Sequence, residues 1–218
     1  VIFDVDGVLV DSGGAHLHAW QKLGEEIGVP FGRELFDRTF GQRNESIVPS
    51  WLGETPPDRV ADLGQRKEGI YRDLVRRGEI RIYRRIPDLL AELKRECFAI
   101  AVASSGPREN VRLIVEQIGA GPLVDAAVAA EDVSRGKPDP EGFSLAARRI
   151  EAPPARCAVV EDSVHGIEAA KRGGMVAVAV LTSTPRDRLA AAGADIFAGE
   201  VGDLKVSEIA ALIPADSL

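Results

Sequence analysis

VIFDVDGVLVDS (1–12) sets an apolar run, Val1, Ile2, Phe3 and Val5, around two carboxylates, Asp4 and Asp6. A short run rich in Val, Ile and Phe reads as a buried strand. Side chains alternate along a strand, so Asp4 and Asp6 leave the backbone on the same side if the strand extends that far. Two neighbouring carboxylates away from water repel and lose hydration, which costs several kcal/mol unless a cation offsets it. The simpler alternative is a turn at Asp6-Gly7, with Asp4 binding a local amide. The rest of the chain must supply the cation for the first reading to stand.

From Pro87 onward two textures alternate. DLLAELKRE (88–96) has helical spacing, and FAIAVASS (98–105) is a buried strand running into small polar residues. PRENVRLIVEQIG (107–119) reads as a helix with Pro107 near its start and Gly119 at its end. LVDAAVAA (123–130) reads as a strand, and a helix from Asp139-Pro140 to Ile150 takes Asp139 as its N-cap. CAVVED (157–162) is an apolar strand ending in acids, SVHGIEAAKRGG (163–174) a helix closed by glycine, and MVAVAVL (175–181) the strand that completes the series. Such alternation predicts an α/β fold with a doubly wound parallel sheet. Ligands of these sheets sit outside the carboxyl ends of the strands.

The stretch 12–85 differs. AHLHAWQKLGEEIG (15–28), ELFDRTF (34–40), ESIVPSWLG (45–53) and RVADLGQRKEGIYRDLVRRG (59–78) all suit helices and none suits a strand. Gly13-Gly14 precedes them and the polar RIYRRIP follows, two linkers suited to a hinge. The expected division is a core of 1–11 and 86–218 with a helical domain of 12–85 inserted after the first strand. No internal repeat or fixed period appears.

The net charge of −7 argues against nucleic acid or an anionic membrane as partner. An acidic protein that handles anions has to concentrate positive charge locally. No apolar run approaches a membrane span and no secretory signal is read. Cys97 and Cys157, each beside an apolar run, are expected to be buried reduced thiols, which suits the cytoplasm. Lysine is scarce: Lys22, Lys67, Lys94, Lys137, Lys171 and Lys205 are all there are.

Four predicted strand ends carry polar residues: Asp4 and Asp6; Ser104 and Ser105; Glu161 and Asp162; and Lys137 in the SRGKPDP loop. Carboxylates gathered at one sheet edge suit a hard cation, and Mg²⁺ is favoured because it keeps waters and binds phosphate oxygens. A hydroxyl and a lysine beside it suit the remaining oxygens of a phosphoryl group. Each piece also has a plainer role. Ser104-Ser105-Gly106 can cap the following helix, Lys137 can be a solvated loop lysine, and Glu161-Asp162 can favour the dipole of the next helix. Their order along alternating strands is what favours the shared site.

DVDGVLVDS (4–12), VASSG (102–106), GKPDP (136–140) and VVEDSVHGIEAAK (159–171) resemble the four motifs of the haloacid dehalogenase superfamily. The likeness is to the branch with a helical cap after the first strand, which holds small phosphatases and β-phosphoglucomutases. The resemblance implies a Rossmann-like core, with Asp4 as the nucleophile that becomes an aspartyl phosphate and Asp6 as general acid/base. It implies that Ser104 binds the transferring group, that Lys137 steadies that group and Asp4, and that Ser105 and Gly106 lie against the substrate. Mg²⁺ would be held by Asp4, the Asp6 backbone carbonyl and Asp162, with Glu161 a direct or water-mediated ligand. A proton-holding role for Asp6 suits a carboxyl group beside another anion.

In the cap, Gly41 and Asn44 resemble a loop that reaches the substrate, the alternative being Asn44 as a helix cap. His16 resembles a histidine that hydrogen-bonds near the acid/base in the mutases. Where those mutases place a late cap lysine for a second phosphate, Arg72 or Asp73 aligns here, with Lys67 a turn away. The function implied is Mg²⁺-dependent hydrolysis of a small phosphorylated metabolite, a sugar phosphate, by a monomer, and the alternative is a phosphomutase. A dehalogenase would lack Asp6 and Asp162, and a signalling receiver domain would lack the helical insertion.

Overall fold

The computed structural model describes residues 1–213. Its central strand, β1 (Ile2–Phe3), is shorter than the apolar run around it. The chain returns for β2 (Val10–Asp11) and then enters four helices, α1 (Gly13–Ile27), α2 (Arg33–Thr39), α3 (Asn44–Leu52) and α4 (Pro57–Arg76). After β3 (Arg81–Ile82) come α5 (Ile86–Arg95), β4 (Ala101–Ala103), α6 (Arg108–Gln117), β5 (Ala126–Val128), α7 (Glu141–Arg149) and β6 (Ala158–Glu161). The chain continues with α8 (Val164–Arg172), β7 (Val176–Val180), α9 (Arg186–Ala191), β8 (Ile196–Ala198) and α10 (Val206–Leu212).

Six strands form one parallel sheet in the order β5-β4-β1-β6-β7-β8. The series therefore runs one strand past MVAVAVL: β8 pairs with β7 through Val178↔Ile196. Alternation gives the sheet two apolar faces. Phe3, Val102, Val160 and Val178 pack with Leu90 and Leu93 of α5 and Ile114 of α6 on one face. Ile2, Ala101, Val159 and Ala177 pack with Phe143 of α7 and Ile167 of α8 on the other. Helices on both faces of a parallel sheet are the doubly wound arrangement expected. Phe3 is in register with Val102 on one side and Val160 on the other, so Asp4, Ser104 and Glu161 emerge at one edge.

The stretch between β2 and β3 is helical, but its ends are not free linkers. Val10 pairs with Ile82 and Asp11 with Arg81 in an antiparallel ladder, so a strand lies within 12–85 after all. Gly13 and Gly14 already belong to α1. The inserted helices have their own core around Trp20, Leu23, Phe31, Phe36, Val48 and Leu63. Ala19, Tyr71, Leu74 and Val75, by contrast, pack into the sheet-side cluster.

Three local expectations change. Cys97 is exposed, because it follows the end of α5 in a left-handed turn, φ 60°, whereas Cys157 is buried. Neither serine of VASSG caps α6: its first amide, Arg108 N, donates to the Glu131 carboxylate at 3.1 and 3.0 Å. Pro140, not Asp139, is the N-cap residue of α7, and Asp139 one place earlier accepts from the helix's first amide, Glu141 N, at 2.9 Å. No helix of the described residues is long and apolar enough to cross a membrane.

Candidate active site

The amide of Asp4 stays in the ladder, donating to Val160 O at 3.0 Å, and the chain then turns sharply at Gly7. Each reading of the opening stretch holds in part: Asp6-Gly7 is a turn, but the Asp4 carboxylate faces the Lys137 ammonium and not a local amide. Gly7 has φ +77°, and a Cβ there would lie 1.9 Å from Asp162 Oδ2, so only glycine lets this turn sit against the acid.

Lys137 Nζ donates to Asp4 Oδ1 at 2.7 Å and to Glu161 Oε1. Glu161 Oε2 accepts from Asp162 N at 2.8 Å, Ser163 N at 2.8 Å and Ser163 Oγ at 2.9 Å. Ser163 in turn caps α8 by accepting from Gly166 N at 3.0 Å. Asp162 Oδ2 accepts from Ser183 Oγ, in the loop after β7. Asp4, Glu161 and Asp162 are buried, and each offers a carboxylate oxygen within 4.8 Å of the others. Burial, helped by Glu161 and Asp6 and opposed by Lys137, pushes Asp4 up to about 7. Burial, then Glu161 and Asp4, push Asp162 well above the usual carboxylate range. Burial disfavours the Lys137 charge, but Asp4 and Glu161 outweigh it and hold the ammonium. Three ionised acids against one ammonium would leave an uncompensated negative charge, which is why the metal-free cluster holds protons, and oxygen donors in that geometry fit a hard divalent cation.

Asp6 points elsewhere. Its Oδ1 accepts from Ser12 Oγ at 2.5 Å and from His16 Nε2 at 3.2 Å. Lys67 Nζ reaches the other ring nitrogen, His16 Nδ1, at 2.7 Å. An ammonium has protons only to give, so Nδ1 accepts and Nε2 carries the proton donated to Asp6. The His16 ring stacks on Tyr71 with centroids 3.9 Å apart. Burial would raise Asp6, but His16, Ser12 and Lys67 outweigh it and hold the carboxyl at about 2. The expectation that a neighbouring anion sets this group is therefore corrected: in the described structure Asp6 is ionised and answers to the cationic side.

Ser104 is buried and its Oγ accepts from Gly106 N at 2.9 Å. It lines the cleft of about 550 Å³ that also contains Asp4, Asp6, Ser105, Lys137 and Asp162. Gly41 borders this cleft, while Gly106 and Asn44 line an adjoining recess beneath α1–α4 with His16 and Lys67. Asn44 is the first residue of α3, not its cap, and its Nδ2 donates to Glu68 Oε1 at 3.0 Å.

Several participants are not among the sequence candidates. Arg43 reaches from the start of α3 to the carbonyl oxygens of Ala130 at 3.4 Å and Val133 at 3.2 Å. Among the described residues its buried Nε has no partner. Lys67, not Arg72 or Asp73, enters the recess, and Glu68 beside it is buried too. A signal for this pair exists. Val60, Leu63, Gly64, Lys67, Glu68, Tyr71, Leu74 and Val75 are the buried stripe of α4, so a charged pair interrupts an apolar face. Ser183 and Asn110 carry no comparable signal.

An aspartate-bearing strand end, a lysine and an acid pair on one parallel sheet are the arrangement of a hydrolase of the haloacid dehalogenase type. The haloacid dehalogenase-like hydrolase family model matches residues 1–174, and the chain belongs to that family. Validoxylamine A 7'-phosphate phosphatase of Streptomyces hygroscopicus subsp. limoneus is 31% identical over 94% of each chain. The β-phosphoglucomutase of Bacillus subtilis is 34% identical over 94% of this chain and 90% of its own. Among solved structures, CbbY of Rhodobacter sphaeroides in complex with phosphate superposes with a TM-score of 0.86 at 27% identity, covering 96% of this chain and 97% of that one.

Proposed function

We propose that the protein is a Mg²⁺-dependent phosphatase of a small phosphorylated metabolite, a sugar phosphate, acting through an aspartyl phosphate on Asp4. The observation that carries this reading is the buried cluster of Asp4, Lys137, Glu161 and Asp162. Asp4, the Asp6 carbonyl and Asp162 would hold the ion. Glu161, whose oxygens already accept from protein donors, would act through water. Bound there, Mg²⁺ would neutralise charge on the phosphoryl oxygens.

Asp4 attacks phosphorus and the ester P–O bond breaks, with Lys137 and Ser104 steadying the moving oxygens. The departing alkoxide takes a proton from Asp6. Asp6 then receives a proton from the water that cleaves the aspartyl phosphate, releasing inorganic phosphate. Asp6 is ionised before substrate arrives, and a phosphate dianion beside it favours the protonated form that the first step needs.

The recess supports hydrolysis over mutation. Lys67 is already held by Glu68 at 2.9 Å and by His16, so it is not free to bind a second phosphate; Arg43 Nη2 is committed to two carbonyls, and the buried Nε of Arg43 is left without a partner among the described residues. All of these residues come from one chain, so a monomer suffices, and free cysteines suit the cytoplasm.

A panel of sugar phosphates assayed for phosphate release and isomerisation tests the reading. Release is expected with Mg²⁺, none after thorough chelation, and Asp4→Asn should lose turnover while melting like the wild type. Given a hexose 1-phosphate with a trace of the matching bisphosphate, ³¹P NMR should show mainly inorganic phosphate. Hexose 6-phosphate as the main product would establish the mutase instead.

A further inference from the structure

Glu68 and Asn110 belong to different layers. Glu68 lies on α4 of the inserted helices, and Asn110 lies in the first turn of α6, which packs on the sheet. Both are buried, at 5% and 6% exposure. Asn110 Nδ2 donates to Glu68 Oε2 at 2.6 Å, and Arg72 Nη1 donates to Asn110 Oδ1 at 3.1 Å. The Arg72 contact therefore orients the Asn110 amide, with its NH₂ toward the carboxylate. The other oxygen, Glu68 Oε1, accepts from Lys67 Nζ at 2.9 Å and from Asn44. Lys67 goes on to His16, and His16 to Asp6.

We propose that Glu68 and Asn110 are positioning residues: their contact clasps α4 to α6 and so holds Lys67 and His16 against Asp6. A lysine on four rotatable carbons does not fix its own nitrogen. The carboxylate fixes it, and the carboxylate is itself anchored across the layers by Asn110. His16–Asp6 and Glu68–Asn110 are two crossings between the same two bodies, joined inside α1 and α4 by Lys67. Separation of α4 from α6 therefore releases the aligned acid/base, and closure restores it. The step affected is proton delivery to the leaving alcohol, so this inference rests on the hydrolase reading above.

The clasp is testable by exchanging its polarity. Asn110→Asp sets two carboxylates against each other. In the double variant E68Q/N110D, the side-chain amide introduced on α4 donates to the new carboxylate on α6. Its oxygen still accepts from Lys67, and Arg72 keeps its acceptor. N110D should lower kcat on an alkyl phosphate by about tenfold or more, the scale of impaired proton transfer. On p-nitrophenyl phosphate, whose leaving group needs little protonation, the loss should stay under about threefold. The double variant should return to within about threefold of wild type on both. Mg²⁺ affinity by titration calorimetry should be unchanged throughout, and melting curves confirm that each variant is folded.

Equal losses on the two esters, no loss in N110D, or no recovery in the double variant would overturn the proposal. Small-angle scattering reads the clasp independently of chemistry. N110D should have a larger radius of gyration and the double variant the wild-type value, and an unchanged radius in N110D overturns the clasp. If the wild type turns over neither ester, the hydrolase reading falls and scattering alone decides the clasp.

Discussion

The residues around Asp162 show how little of a candidate metal site its acids alone explain. Asp162 is buried beside two other acids, and its orientation comes from Ser183, which donates to Oδ2 and also to the Asp162 carbonyl at 3.2 Å. The adjacent Thr182 ties the same loop to Gly7 O at 2.5 Å, so the loop after β7 braces both acidic strand ends. Partners of this kind typically carry about 10–100-fold of metal affinity. Ser183→Ala should weaken Mg²⁺ binding within that range by calorimetry and leave the melting temperature of the metal-free protein nearly unchanged. Wild-type affinity in this variant would show that burial alone orients Asp162.

At the scale of elements, α8 is docked by one missing side chain. A Cβ on Gly166 would sit 1.9 Å from both Cδ and Oε1 of Glu161. Alanine in place of glycine usually favours a helix by about 1 kcal/mol. Here the carboxylate cannot swing aside freely, because Lys137, Ser163 and the Asp162 amide all hold it. Overpacking of about 1–3 kcal/mol should therefore outweigh the propensity gain. Gly166→Ala is expected to melt at a lower temperature and to lose most activity, since Glu161 must release Lys137. A raised melting temperature would mean that the carboxylate relocates without cost. The ladder between β2 and β3 makes a related point: it ties the two ends of the inserted helices together, so any movement of α1–α4 pivots on one short ribbon.

For the whole molecule, the acid cluster sets the pH dependence of stability. Asp4 rises from 3.8 to about 7 on folding and Asp162 rises with it, so in chelator the folded state binds more protons than the unfolded state between those values. Stability of the metal-free protein consequently falls as pH rises through that window. Asp6 and Glu68 act in the opposite sense. Burial opposes their ionisation, but His16 and Lys67 hold both at about 2, so their contribution is full above the usual carboxylate values and is lost as pH falls toward 2. The metal-free protein should accordingly melt at a higher temperature at about pH 5.5 than at about pH 7.5. Mg²⁺ should raise the melting temperature more at the higher pH, because ligands must be deprotonated to bind it. Scanning calorimetry in chelator and in Mg²⁺ checks both, and a metal-free stability that climbs from pH 5.5 to 7.5 would contradict the assignment.

Read alone, the sequence determined the parallel sheet, the inserted helices and the catalytic candidates on strand ends. Asp4, Ser104, Lys137, Glu161 and Asp162 were legible because a parallel sheet delivers its strand ends to one edge, and the order of strands along the chain suffices to gather them. Asp6 was legible as a residue but not in its state. Its charge depends on Ser12, His16 and Lys67, and Lys67 arrives from a helix 61 positions away in the chain. Only the tertiary structure decided that Lys67 enters the recess, that Asn110 meets Glu68, that Arg43 spans to the loop after β5 and that Ser183 orients Asp162. Helix periodicity tells which side of α4 is covered, but the partner that covers it is set by how two layers dock, and that docking is a long-range property no local spacing encodes.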